Sequence, residues 1–335
     1  MPKVSNILVT VPTELHHREL LESCAPDAKF TYCLAKNLAD KKVRCADVVE
    51  MTDEMIKQAD VVLGVIGVDK LKIAENLKLL QLSMAGSDAY AAPGVMPKGA
   101  LLANATGSYG LAISEYLMAS LLAISKRLHQ YRDRQPKGAW EIIGEVKPVY
   151  GSTVLVVGLG DIGGEFAKRA KAMGAYVIGV RRKGTDKPDY VDELYHNEDL
   201  DSLIPRADTI VLCLPNTPAT KNIMNRDRIY AMKQDAILLN IGRGNAVNGE
   251  ALCDALDEGR LWGAGLDVTD PEPLPVGHRM WNTEKLLLTP HVSGFFTLPE
   301  THERIIRLMA DNLTAFIEGK PLKNIVDPET GYRKL

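Results

Sequence analysis

The amino-acid sequence predicts an α/β protein built from two doubly wound parallel sheets, and three observations carry that expectation. Short apolar runs alternate with amphipathic helical stretches along most of the chain. One of those runs passes through a glycine-rich turn directly into a helix. At 335 residues the chain also exceeds what a single hydrophobic core normally serves, which points to two domains.

Taken in order, strand-like runs at 7–11, 61–68 and 79–84 alternate with helical stretches at 14–23 and 69–76, enough for a first parallel sheet. An amphipathic helix follows near 111–131. Residues 154–157 then form a buried-strand run that enters Gly158, Gly160 and Gly163. Phe166, Ala167, Ala170 and Met173 recur at helical spacing, Gly174 ends that helix, and 176–180 is the next strand. Strands at 209–214, 236–241 and 262–268, with a helix at 249–258, complete a second sheet. A last helix at 298–318 carries Ile305, Ile306, Met309, Leu313 and Phe316 on one side, and Thr297 and Glu300 stand before it in capping-box spacing.

The Gly158–Gly160–Gly163 turn, between strand and helix, is a dinucleotide-binding fingerprint in a Rossmann context. Gly158 permits the tight turn, Gly160 lets backbone approach a pyrophosphate, and Gly163 lets helix pack on strand, while the helix N-terminus offers its N–H groups to phosphate. An NAD(H) site usually carries Asp or Glu roughly 20 residues further on, to accept from the ribose 2′-hydroxyl. Here Arg181, Arg182 and Lys183 stand instead. Guanidinium groups suit a 2′-phosphate, so the sequence favours NADP(H) over NAD(H).

Composition narrows the partners. With 40 Lys plus Arg against 43 Asp plus Glu, the formal charge is −3 and no long block of one sign stands out, which argues against nucleic acid. The five cysteines, Cys24, Cys33, Cys45, Cys213 and Cys253, are odd in number and never in C-x-x-C spacing, so neither a disulfide framework nor a metal centre is expected. The N-terminus shows no signal-peptide core, and the longest apolar helical stretch is interrupted by Ser114 and Glu115. A cytoplasmic protein away from the membrane is the expectation.

Hydride transfer between a nicotinamide and a carbon bearing oxygen needs a proton donor or acceptor for that oxygen, and an acidic substrate needs an anion anchor. Arg243, directly after a strand, puts a guanidinium fork where doubly wound folds bind ligands, at the C-terminal edge of the sheet. His291 follows another short strand, between Pro290 and Gly294, and histidine is the natural side chain for an acid/base role. Glu272 lies in a proline-rich loop after a third strand, where a carboxylate against imidazole would fix the ring and stabilise its charge. Side chains near Met84, Tyr109, Trp140, Met280 and Trp281 could shape a pocket or simply pack.

On these motifs the chain resembles the D-isomer-specific 2-hydroxyacid dehydrogenases, which include glyoxylate/hydroxypyruvate reductases, phosphoglycerate dehydrogenases and formate dehydrogenases. The resemblance runs over nearly the whole length, through GLGDIG, LPNTPATKNIM at 214–224, N-x-x-R-G at 240–244, LDVTDPEP at 266–273 and TPHVSG at 289–294. It implies that a small 2-oxo acid is reduced to the D-2-hydroxy acid, with Arg243 as carboxylate and carbonyl anchor, His291 as general acid and Glu272 as its partner. It implies cofactor contacts at Asp161, Ile162, Leu214, Pro215, Thr220, Ile241, Gly242, Asp267, Ser293 and Gly294, and substrate contacts at the backbone of Ala85, Gly86 and Ser87. It further implies a dinucleotide-binding domain over 104–297 inserted in a split, flavodoxin-like substrate domain over 1–103 and 298–335, and a homodimer formed through the nucleotide domain. Trp140 is notable because relatives can bring a tryptophan toward the neighbouring subunit's site. Two departures stand out: the Arg181–Arg182 pair resembles the NADP-using reductases, and Thr269 stands where many relatives carry an aromatic. Two other readings stay open. One is a dehydrogenase of this family acting on another acid, such as a sugar acid or phosphonate. The other is a dinucleotide-sensing binding protein like the corepressors that share the fold.

Overall fold

The computed structural model describes residues 3–34, 45–296 and 298–327. The chain divides into two compact units, one formed by Met1–Tyr109 with Phe296–Leu335 and the other by Gly110–Phe295.

The first unit holds five parallel strands, β1 (Asn6–Val9), β2 (Lys29–Tyr32), β3 (Val61–Leu63), β4 (Leu79–Gln81) and β5 (Leu101–Ala103). Their order, β2-β1-β3-β4-β5, is flavodoxin-like. The central strands are mostly apolar because both faces are covered, and Leu8, Val62 and Leu80 enter one buried cluster with Ile56, Ile66 and Leu71. Two runs are shorter than the sequence suggests. β3 stops at Leu63, and two residues further on the ladder is left, with Val65 N–H donating to Thr10 Oγ1 at 2.6 Å. β4 stops at Gln81, whose side chain donates to the carbonyls of Leu82 and Asn104. The helical stretch expected at 69–76 is a 3₁₀ segment, Val68–Ile73.

The Pro299–Glu318 helix belongs to this unit and buries Ile305, Ile306, Met309 and Leu313. Its N-cap is Leu298 with no side-chain bond, and Glu300 accepts from Arg304 Nε at 2.8 Å, so no capping box is made by Glu300; Thr297 lies outside the described residues. Glu303 clamps this helix to Leu15–Cys24. His16 Nε2 and His17 Nε2 lie 2.7 and 2.8 Å from Glu303 Oε1. These three ligand-type groups gather within 4.8 Å, yet Glu14 N–H donates to His17 Nδ1 at 3.0 Å. Nδ1 is therefore an acceptor and Nε2 carries the proton. The cluster is a hydrogen-bonded clamp, since a metal at Nε2 would displace that proton and break the helix cap.

The second unit has seven parallel strands: β6 (Thr153–Val157), β7 (Tyr176–Val180), β8 (Glu193–Tyr195), β9 (Thr209–Leu212), β10 (Ile237–Asn240), β11 (Gly263–Leu266) and β12 (Leu286–Leu288). The order β12-β11-β10-β9-β6-β7-β8 is the Rossmann order with one strand added. The helix read as continuous over 111–131 is two helices, Gly110–Ser125 and Leu128–Arg134, with Arg127 between them at φ 57°. Trp262 explains the break: its Nε1–H donates to the Ile124 carbonyl at 3.1 Å, and the Arg127 guanidinium sits 4.2 Å above its ring. The first of these helices lies so close to β11 that a Cβ at Gly263 would stand 2.6 Å from Ile124 Cγ2, which is why the strand reads Gly-Ala-Gly-Leu. Among the described residues no helix is long and apolar enough to cross a membrane.

Candidate active site

The second unit gathers its chemistry-bearing residues on the loops that leave the C-terminal ends of β6, β7 and β9–β12. Two of the three fingerprint glycines are demanded by contacts, each a different one. Gly158 has φ +100°, and a Cβ there would stand 2.4 Å from the Cys213 carbonyl oxygen. A Cβ at Gly163 would stand 2.2 Å from the Gly158 carbonyl oxygen. Around Gly160 nothing lies within 4 Å. The turn is thus packed solid on two sides and open on the third, directly before the Asp161–Ala172 helix, whose first-turn N–H groups have no acceptor within the helix. Asp161 and Ile162 are its first two residues. This open cradle fits a pyrophosphate. The far end of the helix closes in a Schellman arrangement, with Gly174 N–H on Lys171 O at 2.9 Å and Ala175 N–H on Ala170 O at 3.1 Å.

At the end of β7 the two arginines part ways. Arg181 donates through Nε to the Gly184 carbonyl at 2.9 Å and through Nη2 to the Asp186 carbonyl at 2.6 Å. It holds the loop that follows, while Arg182 and Lys183 are exposed beside it. After β9, Leu214 and Pro215 lead into a tight loop closed by Thr220. Its buried hydroxyl lies 2.7 Å from the Pro215 carbonyl and accepts the Thr217 N–H at 2.9 Å.

The turn after β10 shows why Asn240 and Gly242 accompany Arg243. Asn240 Oδ1 accepts the Gly242 N–H at 3.0 Å and its Nδ2 donates to the Arg243 carbonyl at 2.8 Å. A Cβ at Gly242 would stand 2.4 Å from the Leu214 carbonyl oxygen, so this turn is locked against its neighbour. Ile241 is buried and Arg243 is half-buried, with its Nη1 on the Gly242 carbonyl at 2.8 Å.

After β11 and β12, His291 Nδ1 lies 2.6 Å from Glu272 Oε1, and both side chains are nearly half exposed. Asp267 is buried, at 1% exposure. Its Oδ1 accepts from the Thr289 hydroxyl at 2.5 Å and Val292 N–H at 2.9 Å, and its Oδ2 from Ser293 N–H at 3.0 Å. Gly294 follows in the same turn. A carboxylate accepting three hydrogen bonds from one loop is a strong anchor for that loop.

In the first unit, the loop after β4 carries Ala85, Gly86 and Ser87. Asn104 Nδ2 donates to the Ala85 carbonyl at 2.9 Å, and Ser87 is buried. Of the aromatic and Met positions, Tyr109 is buried with its hydroxyl on the Ser83 carbonyl at 2.5 Å, and Met84 packs against that unit's core. Met280 is packed in the core of the second unit. Trp281 donates to the Pro275 carbonyl at 2.9 Å, and Trp140 is fully exposed. The sequence alone gives no role to Asn240, Thr289 or Tyr116, which hydrogen-bond to these loops. The first two lie inside motifs that were visible; Tyr116 lies in an apolar helix and gives no signal.

A family model described as "D-isomer specific 2-hydroxyacid dehydrogenase, NAD binding domain" matches residues 118–293. An uncharacterised protein of Corynebacterium melassecola is 34% identical over 269 residues, 78% of this chain and 85% of that protein. A glyoxylate/hydroxypyruvate reductase B of Erwinia tasmaniensis is 29% identical over 295 residues, 84% of this chain and 90% of that protein. A crystal structure of a D-isomer specific 2-hydroxyacid dehydrogenase family protein from Aeromonas salmonicida superposes with a TM-score of 0.81 at 28% identity, covering 97% of this chain and all of that one.

Proposed function

The chain belongs to the D-isomer-specific 2-hydroxyacid dehydrogenases, NAD(P)-dependent oxidoreductases, and from that premise we propose that it is an NADP(H)-preferring reductase of a small 2-oxo acid, of the glyoxylate or hydroxypyruvate kind, giving the D-2-hydroxy acid. The observation that carries the catalytic reading is the His291–Glu272 pair. Glu272 takes the Nδ1–H, which leaves Nε2 as the atom that gives a proton to the substrate's carbonyl oxygen.

The bound nicotinamide supplies the hydride to the carbonyl carbon. Arg243 holds the substrate carboxylate and polarises the carbonyl, and His291 protonates the oxygen as negative charge grows there. Electrostatic stabilisation by one well-aimed donor is worth roughly 10²- to 10³-fold, and general acid catalysis roughly 10²- to 10⁴-fold. Gly158, Gly160, Asp161, Ile162 and Gly163 cradle the pyrophosphate, with Leu214, Pro215, Ile241, Gly242, Asp267, Ser293 and Gly294 along the rest of the cofactor. Thr220 acts through the loop it closes. The backbone of Ala85, Gly86 and Ser87 is assigned to the substrate carboxylate by the resemblance. The NADP(H) preference rests on Arg181 and Arg182 in place of an acidic residue.

A homodimer is part of the same reading. Leu128, Tyr131, Trp140, Ile142 and Val146 are all exposed on one segment of the second unit, more apolar surface than an isolated subunit normally leaves in water. Light scattering on the purified protein tests it, and a monomer at micromolar concentration would end it.

The function is tested by initial rates of NADPH and, separately, NADH oxidation with glyoxylate, hydroxypyruvate, pyruvate and a bulkier 2-oxo acid. NADPH-favoured turnover on a small acid is expected, and His291→Ala should lower turnover roughly 10²- to 10⁴-fold. Retained turnover in that variant refutes the role of His291.

A further inference from the structure

We propose that Tyr116, acting through Thr289 and Asp267, is a positioning residue for His291, an inference that rests on the catalytic reading of His291 given above. His291 adopts φ +51°, a left-handed conformation that a non-glycine residue keeps only when its surroundings over-determine it. Asp267 supplies most of the constraints. His291 N–H donates to the Asp267 carbonyl at 2.8 Å and also reaches the Thr289 carbonyl at 3.1 Å, while the next two amides, Val292 and Ser293, are taken by the two oxygens of the Asp267 carboxylate. The loop carrying the acid is therefore hung on Asp267.

What aims Asp267 is a directed chain of hydroxyls. Thr289 has a single hydroxyl proton, and it goes to Asp267 Oδ1 at 2.5 Å. Thr289 Oγ1 can then only accept from Tyr116, whose hydroxyl lies 2.5 Å away. Burial pushes the Tyr116 phenol above its ordinary value, with the nearby Asp267 charge adding to the effect, so the phenol stays protonated as a donor must. The chain runs from the Gly110–Ser125 helix to the turn after β12 and ends on the two amides that follow the histidine. Tyr116 acts by removing the rotational freedom of Thr289.

The test is a double-mutant cycle with glyoxylate and NADPH, joined to amide hydrogen exchange at 291–293. Tyr116→Phe should lower kcat about fivefold, the scale of one neutral hydrogen bond, with KM for glyoxylate changed less than about twofold. It should also speed exchange at Val292 and Ser293. Thr289→Val should cost more, Thr289→Ser should keep near-wild-type turnover, and Tyr116→Phe should add nothing in the Thr289→Val background. Additive losses, or unchanged exchange in Tyr116→Phe, overturn the proposal. If the wild-type protein turns over no 2-oxo acid, the function assignment fails, while the exchange data still decide the positioning chain.

Discussion

Glu272 Oε1 and His291 Nδ1 lie 2.6 Å apart on loops leaving adjacent strands β11 and β12, so sheet pairing itself brings the two loops side by side. Glutamine at 272 would keep an acceptor oxygen while removing the charge and offering an amide in its place. Because both groups are nearly half exposed, solvent screens part of the loss. Glu272→Gln is expected to lower kcat about 10- to 100-fold, with KM for NADPH nearly unchanged. Steady-state kinetics on both substrates check this, and wild-type kcat would mean that the backbone alone orients the ring.

The two arginines after β7 separate by experiment. Arg181 already holds the carbonyls of Gly184 and Asp186, whereas Arg182 is exposed and its fork suits a ribose 2′-phosphate. Arg182→Ala should weaken NADPH about tenfold or more, the scale of one charge-assisted hydrogen bond, and leave NADH nearly unchanged. Arg181→Ala should weaken both by loosening the loop. Fluorescence titration with each cofactor distinguishes them; equal effects of Arg182→Ala on the two would remove the case for a 2′-phosphate contact at 182.

Much of this was legible because the relevant residues are obligatory at their positions. Two of the fingerprint glycines are read from sequence because no Cβ fits, and β6, β9 and β10 are read because strands covered on both faces carry near-continuous apolar runs. Elsewhere the deciding partner is a backbone group or a distant side chain. The helix break at Arg127 was hidden because Leu128 and Tyr131 continue the apolar periodicity, while the cause, Trp262, is 135 positions away in sequence. The hold of Arg181 on the Gly184 and Asp186 carbonyls could not be foreseen, because carbonyl partners leave no trace in residue identity. The sequence leaves Met280 open between lining a pocket and packing, because its deciding partner is a glycine: its methyl fills the space where a Cβ at Gly249 would stand 2.3 Å away.

The glycines of the turn should also separate fold from cofactor binding. Gly163→Ala drives a methyl against the Gly158 carbonyl oxygen, and Gly158→Ala adds a left-handed strain to a backbone collision, so each should cost about 2 kcal/mol or more. Gly160→Ala meets no protein atom within 4 Å. It should melt close to the wild-type temperature yet bind both cofactors weakly, because its methyl enters the space read as the pyrophosphate's. Thermal melts and cofactor titrations of the three variants give the answer, and wild-type affinity in Gly160→Ala would move the phosphate elsewhere.

Acid sensitivity of the first unit should trace to Asp60. Its Oδ2 accepts the N–H groups of Ser5 and Asn6 at 2.8 and 3.0 Å, and its Oδ1 takes the Lys78 ammonium at 2.6 Å. One carboxylate thereby clips the leading ends of β1 and β4 beside the start of β3. Burial pushes the Asp60 carboxyl up, but the Lys78 ammonium and the two amides outweigh that and hold it below the ordinary carboxylate range. A group depressed in the folded state stabilises above its unfolded value, about pH 4 for aspartate, and that stabilisation is lost as pH falls toward the folded value. Asp60→Asn leaves one acceptor oxygen and turns an amide toward Lys78 or a backbone N–H, at an expected cost of about 2 kcal/mol at neutral pH. The gap between wild type and Asp60→Asn in urea unfolding should therefore be constant from pH 7 to about pH 5 and narrow below about pH 4. A gap that persists undiminished into acid would show that geometry, and not the charge of Asp60, holds the strand ends together.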